Sequence, residues 1–261
     1  MVFKRKKIMK LIILTQNEPF YLYDNLKYLL GLISGKHVVV GCVVFDASPF
    51  GKIESPFSKA KKTYNIFGLR FFMYYSFLFL YSKIFKPGIS RLMKKNKIDI
   101  ININGNINSN SNIEILKSFD ADLFVSILGN QIFKRPLLDI AKYGCINLHT
   151  ALLPKYRGLM PTFWVLKNNE KYTGVSVFFV DEGIDSGEIL VQEKIEILDR
   201  SQASLIRLTK KIGMEAIAKS IDLIQFNNYK LIKNNSEEMT YYRFPTRKDV
   251  KEFRKLGKSF F

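Results

Sequence analysis

Two polar side chains suited to acid–base chemistry and hydrogen bonding stand two residues apart in an otherwise apolar run. Asn147 and His149 belong to CINLHT, residues 145–150. Because side chains alternate across a β-strand, residues two apart point to the same face. An amide can donate a hydrogen bond to a developing oxyanion, and an imidazole can take up a proton or present its charged form to that oxyanion. Together they suit acyl transfer, although either residue alone is more typical of a structural position at a strand end.

A second polar constellation lies in VDEGIDSGEIL, residues 180–190, where Asp181, Glu182 and Asp185 occupy a glycine-flanked loop. A carboxylate beside His149 would orient the imidazole and stabilise its protonated form, or hold a water that relays a proton. Taken alone, such a loop is an ordinary solvated turn between two strands. His37 is the one other histidine. A single histidine among scattered carboxylates matches zinc-site spacing poorly, so we expect no metal.

Composition bounds the class of protein. The 261 residues are 47% apolar and 14% aromatic, which indicates one large globular domain, with or without an appendage, and excludes general disorder. With 41 basic and 23 acidic residues, the formal charge of +18 favours phosphate-bearing partners, unless the lysines simply solvate the surface. Cys42 and Cys145 lie far apart, which argues against a disulfide framework and favours the cytoplasm.

Apolar strand-like runs alternate with helical patterns through the first two-thirds of the chain. We expect strands at 11–15, 39–46, 97–102, 122–128 and 145–150, and helices at 20–33, near 112–118 and after Pro136. Continuous apolar strands in this rhythm predict an α/β fold: a Rossmann-like, mainly parallel sheet with helices on both faces. The pair at 147 and 149 then ends a strand at the edge where such sheets bind ligands.

Two segments raise the question of a membrane. The charge-free run FFMYYSFLFLYS, residues 71–82, is shorter than the ~20 residues of a spanning helix. We interpret residues 63–85 as a buried or partly buried crossover helix, with a membrane-surface contact as the alternative. The basic residues 4–7 superficially resemble the start of a signal peptide, but a first strand beginning near Lys10 fits better. The leader would then be a surface tail, or Met9 would be the true start.

The pattern changes beyond residue 170. Runs 173–180 and 188–197 predict two strands around the acidic loop, and Ser201 begins a helix that reaches about Phe226. We therefore divide the chain into a domain at 1–198 and a short helical, basic C-terminal extension at 199–261. The chain contains no G-x-G-x-x-G after the first strand and no P-loop motif, which disfavours a nicotinamide dehydrogenase or a P-loop nucleotidase.

Three motifs in fixed order carry a family resemblance: N-L-H, then L-L-P-K-Y-R-G, then D-E-G-I-D-S-G. Across roughly residues 97–198 the chain resembles the 10-formyltetrahydrofolate-dependent formyltransferases, which act on glycinamide ribonucleotide, methionyl-tRNA or nucleotide-linked amino sugars. The resemblance implies a catalytic trio of Asn147, His149 and Asp185. A neutral amine would attack the formyl carbon, Asn147 and protonated His149 would stabilise the charge on the formyl oxygen, and Asp185 would support His149 and the proton relay.

The same resemblance implies a pocket for 10-formyltetrahydrofolate, the co-substrate. It is formed by the turn after the preceding strand and by the acidic loop, largely through backbone atoms. The corresponding residues here are Asn130, Gln131, Phe133, Val180, Asp181, Glu182 and Gly183.

The acceptor amine is less determined. In the family, methionyl-tRNA enzymes carry a C-terminal β-barrel, whereas residues 199–261 predict one helix and a basic tail. Glycinamide ribonucleotide enzymes lack equivalents of the YYRFPT tail and of the aromatic helix at 63–85. The resemblance thus favours a nucleotide-linked amino sugar of surface-glycan biosynthesis over tRNA. The alternatives are a shortened methionyl-tRNA formyltransferase or other formylating enzyme, a formyltetrahydrofolate hydrolase, and a non-catalytic binding relative.

Aromatic and basic residues near the trio are candidate substrate contacts. Arg157 is the candidate for a substrate phosphate, or else a surface arginine paired with a nearby carboxylate. Tyr156 and Trp164 can stack on a base or sugar, but core packing is the more usual role of a lone Trp. The aromatic side chains at 241, 242 and 244 suit a homodimer contact, an active-site cover or simple packing.

Overall fold

The computed structural model describes residues 8–46 and 55–261, so the basic residues 4–7 lie outside the described part. The strands are β1 Lys10–Gln16, β2 Val38–Phe45, β3 Asp99–Ile100, β4 Leu123–Ile127, β5 Cys145–His149, β6 Arg157–Gly158, β7 Tyr172–Phe179, β8 Ile189–Glu196 and β9 Tyr241–Tyr242. The helices are α1 Leu22–Ile33, α2 Pro56–Phe67, α3 Leu69–Phe85, α4 Ile89–Lys95, α5 Asn110–Lys117, α6 Arg135–Leu138, α7 Pro161–Lys167, α8 Gln202–Phe226 and α9 Arg247–Lys255.

The main sheet has the strand order β3-β2-β1-β4-β5-β7-β8. Neighbouring strands run parallel from β3 to β5, and the hairpin β7–β8 is added antiparallel to β5. The strand order reverses between β1 and β4. The chain first adds β2 and β3 on one side of β1, and then adds β4 and β5 on the other side. That reversal is the switch point at which open α/β sheets bind ligands. The predicted mainly parallel α/β fold is confirmed.

Alternate side chains of β1 pack into two separate core clusters. Leu11 and Ile13 join the cluster that contains residues of α1, α4 and α8. Ile12 and Leu14 join the cluster that contains residues of α5 and α6. The sheet therefore carries helices on both faces, as the continuous apolar strands predict. The domain boundary expected at residue 198 falls just before α8. Buried side chains of α8 belong to the first of these clusters, so this helix packs into the same core as the sheet.

Some elements differ from the sequence-based expectation. The single helix expected at 63–85 is two helices, α2 and α3, because Gly68 has a φ of 81° that favours glycine and interrupts the helical geometry. Only Phe71 and Ser82 of α3 are buried, so burial is confined to one side of it. The strand expected at 97–102 shrinks to β3, an edge strand that pairs with β2 alone.

The tail from residue 227 contains more structure than its polar composition indicates. β9 pairs in parallel with β6 and forms a separate two-stranded sheet. The helix α9 begins with a capping box between Thr246 and Asp249, a signal that the sequence interpretation missed. No helix among the described residues has the length and apolarity needed to cross a bilayer.

Candidate active site

The imidazole of His149 lies buried at the carboxyl end of β5, beside the acidic loop. Its Nδ1 is 3.5 Å from Oδ2 of Asp185, an ion-pair distance when the ring is protonated. The fold therefore brings the Asp185 carboxylate of this loop to the imidazole. The loop follows β7, which is hydrogen-bonded to β5 with Ser176 opposite His149, so the β5–β7 pairing sets this approach.

The two ring nitrogens of His149 both face oxygen atoms. Nε2 is 2.7 Å from the carbonyl oxygen of Tyr156, which accepts hydrogen bonds only, so Nε2 carries the hydrogen. Nδ1 faces the Asp185 carboxylate, which also accepts. A doubly protonated imidazolium can donate to both oxygens at once. The two contacts together fix the orientation of the ring beside the Asp185 carboxylate.

Asp185 is held from several directions. Its Oδ2 accepts a hydrogen bond of 2.9 Å from the backbone N–H of Gly158 in β6, and the residue has a φ of 49°. The amide of buried Asn234 donates to the carbonyl oxygens of Asp185 and Gly187, both at 2.9 Å. These bonds join the acidic loop to the small β6–β9 sheet and to the segment before it. Neither Gly158 nor Asn234 was singled out by sequence reasoning, because backbone donors and distant tail residues leave no local motif.

Arg157 does not support the predicted phosphate contact. Its side chain is 4% exposed, and Nη2 donates to Oδ1 of Asn234 at 2.8 Å and to the Asn234 carbonyl oxygen at 3.3 Å. Nη1 lies 3.4 Å from Sδ of Met239. The alternative prediction, a surface arginine paired with a nearby carboxylate, is not supported either, because Arg157 is buried and its partner is an asparagine. The guanidinium instead binds Asn234, and Asn234 in turn holds the loop that carries Asp185.

Tyr156 and Trp164 are committed to the core rather than presented to a substrate. Both are buried and stack on Tyr242. The Tyr156 hydroxyl donates to Glu170 at 2.6 Å, and Trp164 Nε1 donates to the carbonyl oxygen of Arg243 at 3.1 Å. Burial and the bond to Glu170 raise the pKa of Tyr156. Stacking on a substrate base is therefore not supported for either residue, and Tyr242 has a packing role.

Buried polar atoms without a hydrogen-bond partner mark the edge of the sheet at the switch point. Within the described ranges, these include Oγ1 of Thr15, Oδ1 of Asn130 and Oδ1 of Asn147. They lie near the carboxyl ends of β1, β4 and β5, which are consecutive in the sheet. A buried polar group without a partner is costly, so this edge is prepared for the polar atoms of a ligand. Thr15 is a further residue that sequence reasoning missed.

The turn after β4 is built by side chains that point into the protein. Asn130 donates to the carbonyl oxygen of Asp46 at 2.5 Å. Gln131 accepts from the N–H of Ile107 at 2.9 Å and donates to the carbonyl oxygen of Gly105 at 3.1 Å. Phe133 is buried in the second core cluster. Any contact of Gln131 or Phe133 with a ligand would therefore come from the backbone.

The acidic loop touches that turn directly. Oε1 of Glu182 accepts a hydrogen bond of 3.1 Å from the N–H of Arg135, at the end of the turn. Oδ1 of Asp181 accepts from the N–H of Gly183 at 3.0 Å and from the Ser186 hydroxyl at 2.6 Å, which shapes the loop. Val180 donates its N–H to the carbonyl oxygen of Cys145 at 2.8 Å. The two segments expected to bind folate are therefore adjacent. Residues 8–46 and 55–261 contain no group of His, Cys, Asp and Glu arranged to hold a metal.

A doubly wound sheet with an amide, an imidazole and a carboxylate gathered at the carboxyl end of β5, next to the strands of the switch point, defines an α/β protein whose side chains suit acyl-type group transfer. The family described as formyl transferase matches residues 84–220, just over half of the 261 residues. The chain belongs to this family, as the three motifs predict.

Relatives and solved structures agree with this assignment. A methionyl-tRNA formyltransferase from Agathobacter rectalis is 34% identical over 136 residues, which cover 52% of this chain and 44% of that protein. The chain thus spans less than half of the length of that relative.

Two crystal structures share the fold. An N-formyltransferase from Helicobacter canadensis, solved with folinic acid and dTDP-3-aminofucose, has a TM-score of 0.55 and 21% identity, covering 90% of this chain and 71% of that one. A phosphoribosylglycinamide formyltransferase from Anaplasma phagocytophilum has a TM-score of 0.61 and 16% identity, covering 91% of this chain and all of that one.

Proposed function

We propose that this protein transfers a formyl group from 10-formyltetrahydrofolate to a primary amine, with Asn147, His149 and Asp185 as its catalytic residues. The observation that carries the proposal is the placement of His149 between the Tyr156 carbonyl oxygen and the Asp185 carboxylate, 2.7 and 3.5 Å away. A residue that only fills space would not need an acceptor at both ring nitrogens. Asn147 shares its face of β5 and has a buried amide oxygen without a partner among the described residues.

In the proposed reaction the lone pair of a neutral amine attacks the formyl carbon, and negative charge collects on the formyl oxygen. The Asn147 amide and the protonated His149 stabilise that charge. Because the charge develops only in the transition state, these interactions lower the barrier of the reaction. The bond between the formyl carbon and the folate nitrogen then breaks. The amine loses its proton and the folate nitrogen gains one, by a relay that Asp185 supports.

The folate co-substrate is proposed to lie between the turn at 129–134 and the loop at 180–187. The hydrogen bond from Arg135 to Glu182 supports this placement because it holds the two segments side by side. Backbone atoms of Gln131, Phe133 and Gly183 would provide contacts, together with the unpartnered oxygen of Asn130. Val180 and the Asp181 turn shape the wall of the pocket. No metal takes part in this proposal.

The acceptor that we propose is the amino group of a nucleotide-linked amino sugar, used in surface-glycan biosynthesis in the cytoplasm. The support is the shared fold of the Helicobacter canadensis enzyme, whose structure holds an aminosugar nucleotide. The high positive charge suits the diphosphate of such a substrate. Both thiols are free and buried, with no disulfide between them, which fits a reducing compartment.

A second candidate acceptor is methionyl-tRNA. The observation that favours it is the 34% identity to a methionyl-tRNA formyltransferase, together with a formal charge of +18. Binding of tRNA would be strongly salt-dependent, because many phosphates would be neutralised, whereas a sugar nucleotide carries two.

The deciding experiment incubates the full chain with 10-formyltetrahydrofolate and a panel of amines: aminosugar nucleotides, methionyl-tRNA, glycinamide ribonucleotide and no acceptor. Mass spectrometry detects the acceptor that gains the formyl group, and absorbance follows tetrahydrofolate release. Formylation of an aminosugar nucleotide supports the proposal. Formate release without an amine would identify a hydrolase instead, and no turnover with any amine would contradict the proposed activity.

A further inference from the structure

The outer side of α3 presents large apolar side chains to solvent, and the proposed chemistry uses none of them. Their positions recur at intervals of three and four residues, which places them on one side of the helix. We call this surface the α3 outer face; it consists of Leu69, Met73, Phe77, Leu80 and Ile84. Phe77 is 66% exposed and Ile84 is 70% exposed, although residues of these types are usually buried.

The opposite side of α3 is firmly attached to the protein. Phe71 stacks on Tyr75 and meets the ring of Phe260 edge-on. The Ser82 hydroxyl donates a hydrogen bond of 2.7 Å to the carbonyl oxygen of Pro19. These contacts fix the rotation of the helix about its axis. The outer face is therefore a permanent feature of the surface and does not turn into the protein's own core.

Neighbouring aromatic side chains enlarge the apolar surface. The rings of Phe77, Tyr81 and Phe85 are in contact along the helix. Contiguous apolar surface of this extent is uncommon on monomeric proteins and marks a site of interaction.

The charge of the chain segment that carries this surface indicates what it contacts. Residues 55–97 contain ten basic residues and no Asp or Glu. The basic residues are Lys59, Lys61, Lys62, Arg70, Lys83, Lys86, Arg91, Lys94, Lys95 and Lys97. Arg70 and Lys83 belong to α3 itself, and the Lys83 ammonium lies 5.6 Å from the centre of the Phe79 ring. Lys86 is paired with Asp24 of α1.

This distribution disfavours a second copy of the chain as the occupant. A symmetric contact would bring two such segments together, with twenty basic residues and no acidic residue from either segment to offset them. An anionic lipid surface complements both properties at once. Each Lys or Arg near such a surface contributes ~1 kcal/mol, and exposed Phe and Leu side chains enter the region between headgroups and acyl chains.

We infer that α3 docks this protein onto an anionic lipid bilayer, with the α3 outer face among the headgroups and the flanking basic residues on lipid phosphates. The helix has 17 residues, fewer than the ~20 needed to span, so it lies along the surface. The inference does not depend on the identity of the formyl acceptor or on the proposed activity.

The test is flotation of the full chain with vesicles of phosphatidylglycerol and phosphatidylcholine in equal parts, and with phosphatidylcholine alone. The variant Phe77→Asp/Ile84→Asp places two carboxylates on the outer face, at exposed positions where the fold tolerates them. The matched control is Ile115→Asp, an exposed isoleucine on α5. A second variant, Lys61→Glu/Lys83→Glu, reverses charge without removing apolar surface. Thermal melting confirms that each variant is folded.

We expect the wild-type chain and the Ile115→Asp control to float with the anionic vesicles, and the Phe77→Asp/Ile84→Asp variant to partition at least tenfold less. The charge-reversed variant should lose binding to anionic vesicles, and added salt should weaken binding by the wild type. Absence of flotation, equal binding to both vesicle types, or unchanged binding of the variants would overturn the inference. So would a wild-type dimer that the Phe77→Asp/Ile84→Asp substitutions dissociate while vesicles have no effect, because the face would then join two copies of the chain.

Discussion

Single hydrogen bonds decide how the proposed catalytic groups are presented. His149 has both nitrogens directed at oxygens, so its orientation is set before any substrate arrives. Asn147 differs, since its amide oxygen is buried without a partner among the described residues. That oxygen can only accept a hydrogen bond, so a donor such as the substrate amine would satisfy it, whereas the amide nitrogen of Asn147 is the group that can donate to an oxyanion.

Replacing Asn147 by Ala should therefore lower turnover by ~10²–10³, because a donor to the developing oxyanion is removed. The melting temperature should change little, since the lost oxygen had no bond to lose. Steady-state formylation by the full chain is the measurement, and Asn102→Ala, at an exposed asparagine, is the control. Near-normal formylation by Asn147→Ala would remove this residue from the mechanism.

Asn234 allows stability and positioning to be separated. Asn234→Ala removes the 2.8 Å acceptor of the buried Arg157 and leaves it only the Asn234 carbonyl oxygen at 3.3 Å, so it should reduce the free energy of unfolding by ~1–3 kcal/mol in urea titrations. Asn234→Asp keeps an oxygen for Arg157 but cannot donate to the carbonyls of Asp185 and Gly187. We expect Asn234→Asp to lower kcat although it keeps the Arg157 acceptor, because its second carboxylate oxygen would face and repel the carbonyl oxygens of Asp185 and Gly187. If the Asp variant were fully active, the bonds from Asn234 would not position Asp185.

At the level of elements, the β6–β9 pair holds the candidate site together. β6 supplies the N–H that binds Asp185, and its neighbour Tyr156 supplies the carbonyl that binds His149. β9 comes from the C-terminal tail, 84 residues further along the chain, and pairs with β6 in parallel. The tail is therefore part of the site's framework rather than an appendage to it.

Gly158→Ala tests this framework. An added Cβ would lie 2.4 Å from the carbonyl oxygen of Tyr242, and the residue has a φ of 95°. Gly257→Ala is the matched control, because that glycine also has a positive φ, 72°, but open space around it. Both variants should lose ~1 kcal/mol through backbone strain, Gly158→Ala should lose more because of the clash, and only Gly158→Ala should lose turnover, by at least tenfold. Equal turnover of the two variants would show that β6 does not set the Asp185 geometry.

The start of α9 makes a pH-dependent contribution to stability. Burial raises the pKa of Asp249, but hydrogen bonds from Thr246 and from the Lys167 ammonium lower it more, so the folded pKa lies below the unfolded value of 3.8. The resulting stabilisation is present above that value and is lost as the pH falls through the folded pKa.

The melting temperature of Asp249→Asn should accordingly lie below that of the wild type at pH 7, and the difference should shrink below about pH 4. Asp199→Asn, at an exposed carboxylate, is the control. A difference that stayed constant down to pH 3 would exclude this contribution.

For the whole molecule, charge is the dominant property. A formal charge of +18 repels itself in the compact state, and part of it is concentrated in residues 55–97, which hold ten basic residues and no acidic one. Screening should relieve this repulsion.

The melting temperature should therefore rise as NaCl is increased from ~20 to ~150 mM, at which the screening length falls to about 8 Å. Differential scanning calorimetry provides the measurement, and sucrose at matched osmolality controls for non-ionic effects. A melting temperature that fell with salt would mean that attractive ion pairs outweigh the net repulsion.

Local patterns of this sequence predicted most strands of the main sheet and the residues proposed as the catalytic trio. The apolar runs around 11–15 and 122–128 were predicted as strands of a mainly parallel sheet and are β1 and β4, and the helix predicted after Ser201 ends at Phe226 as expected. Asn147 and His149 were found because strand alternation is a local property, and Asp185 because of a family motif. These features depend on neighbours along the chain, so the residue types alone carry them.

Tertiary structure decided what distant segments do to one another. Arg157 was expected at a substrate phosphate but is buried against Asn234, 77 residues away in the chain. Which side of α3 is covered likewise depended on where Phe260 and Phe261 pack. The sequence of an apolar helix does not distinguish a covered helix from an exposed one. Contacts between segments that are distant in the sequence form only when the whole chain folds. The residues next to Arg157 or next to Asn234 therefore do not indicate that the two side chains will meet.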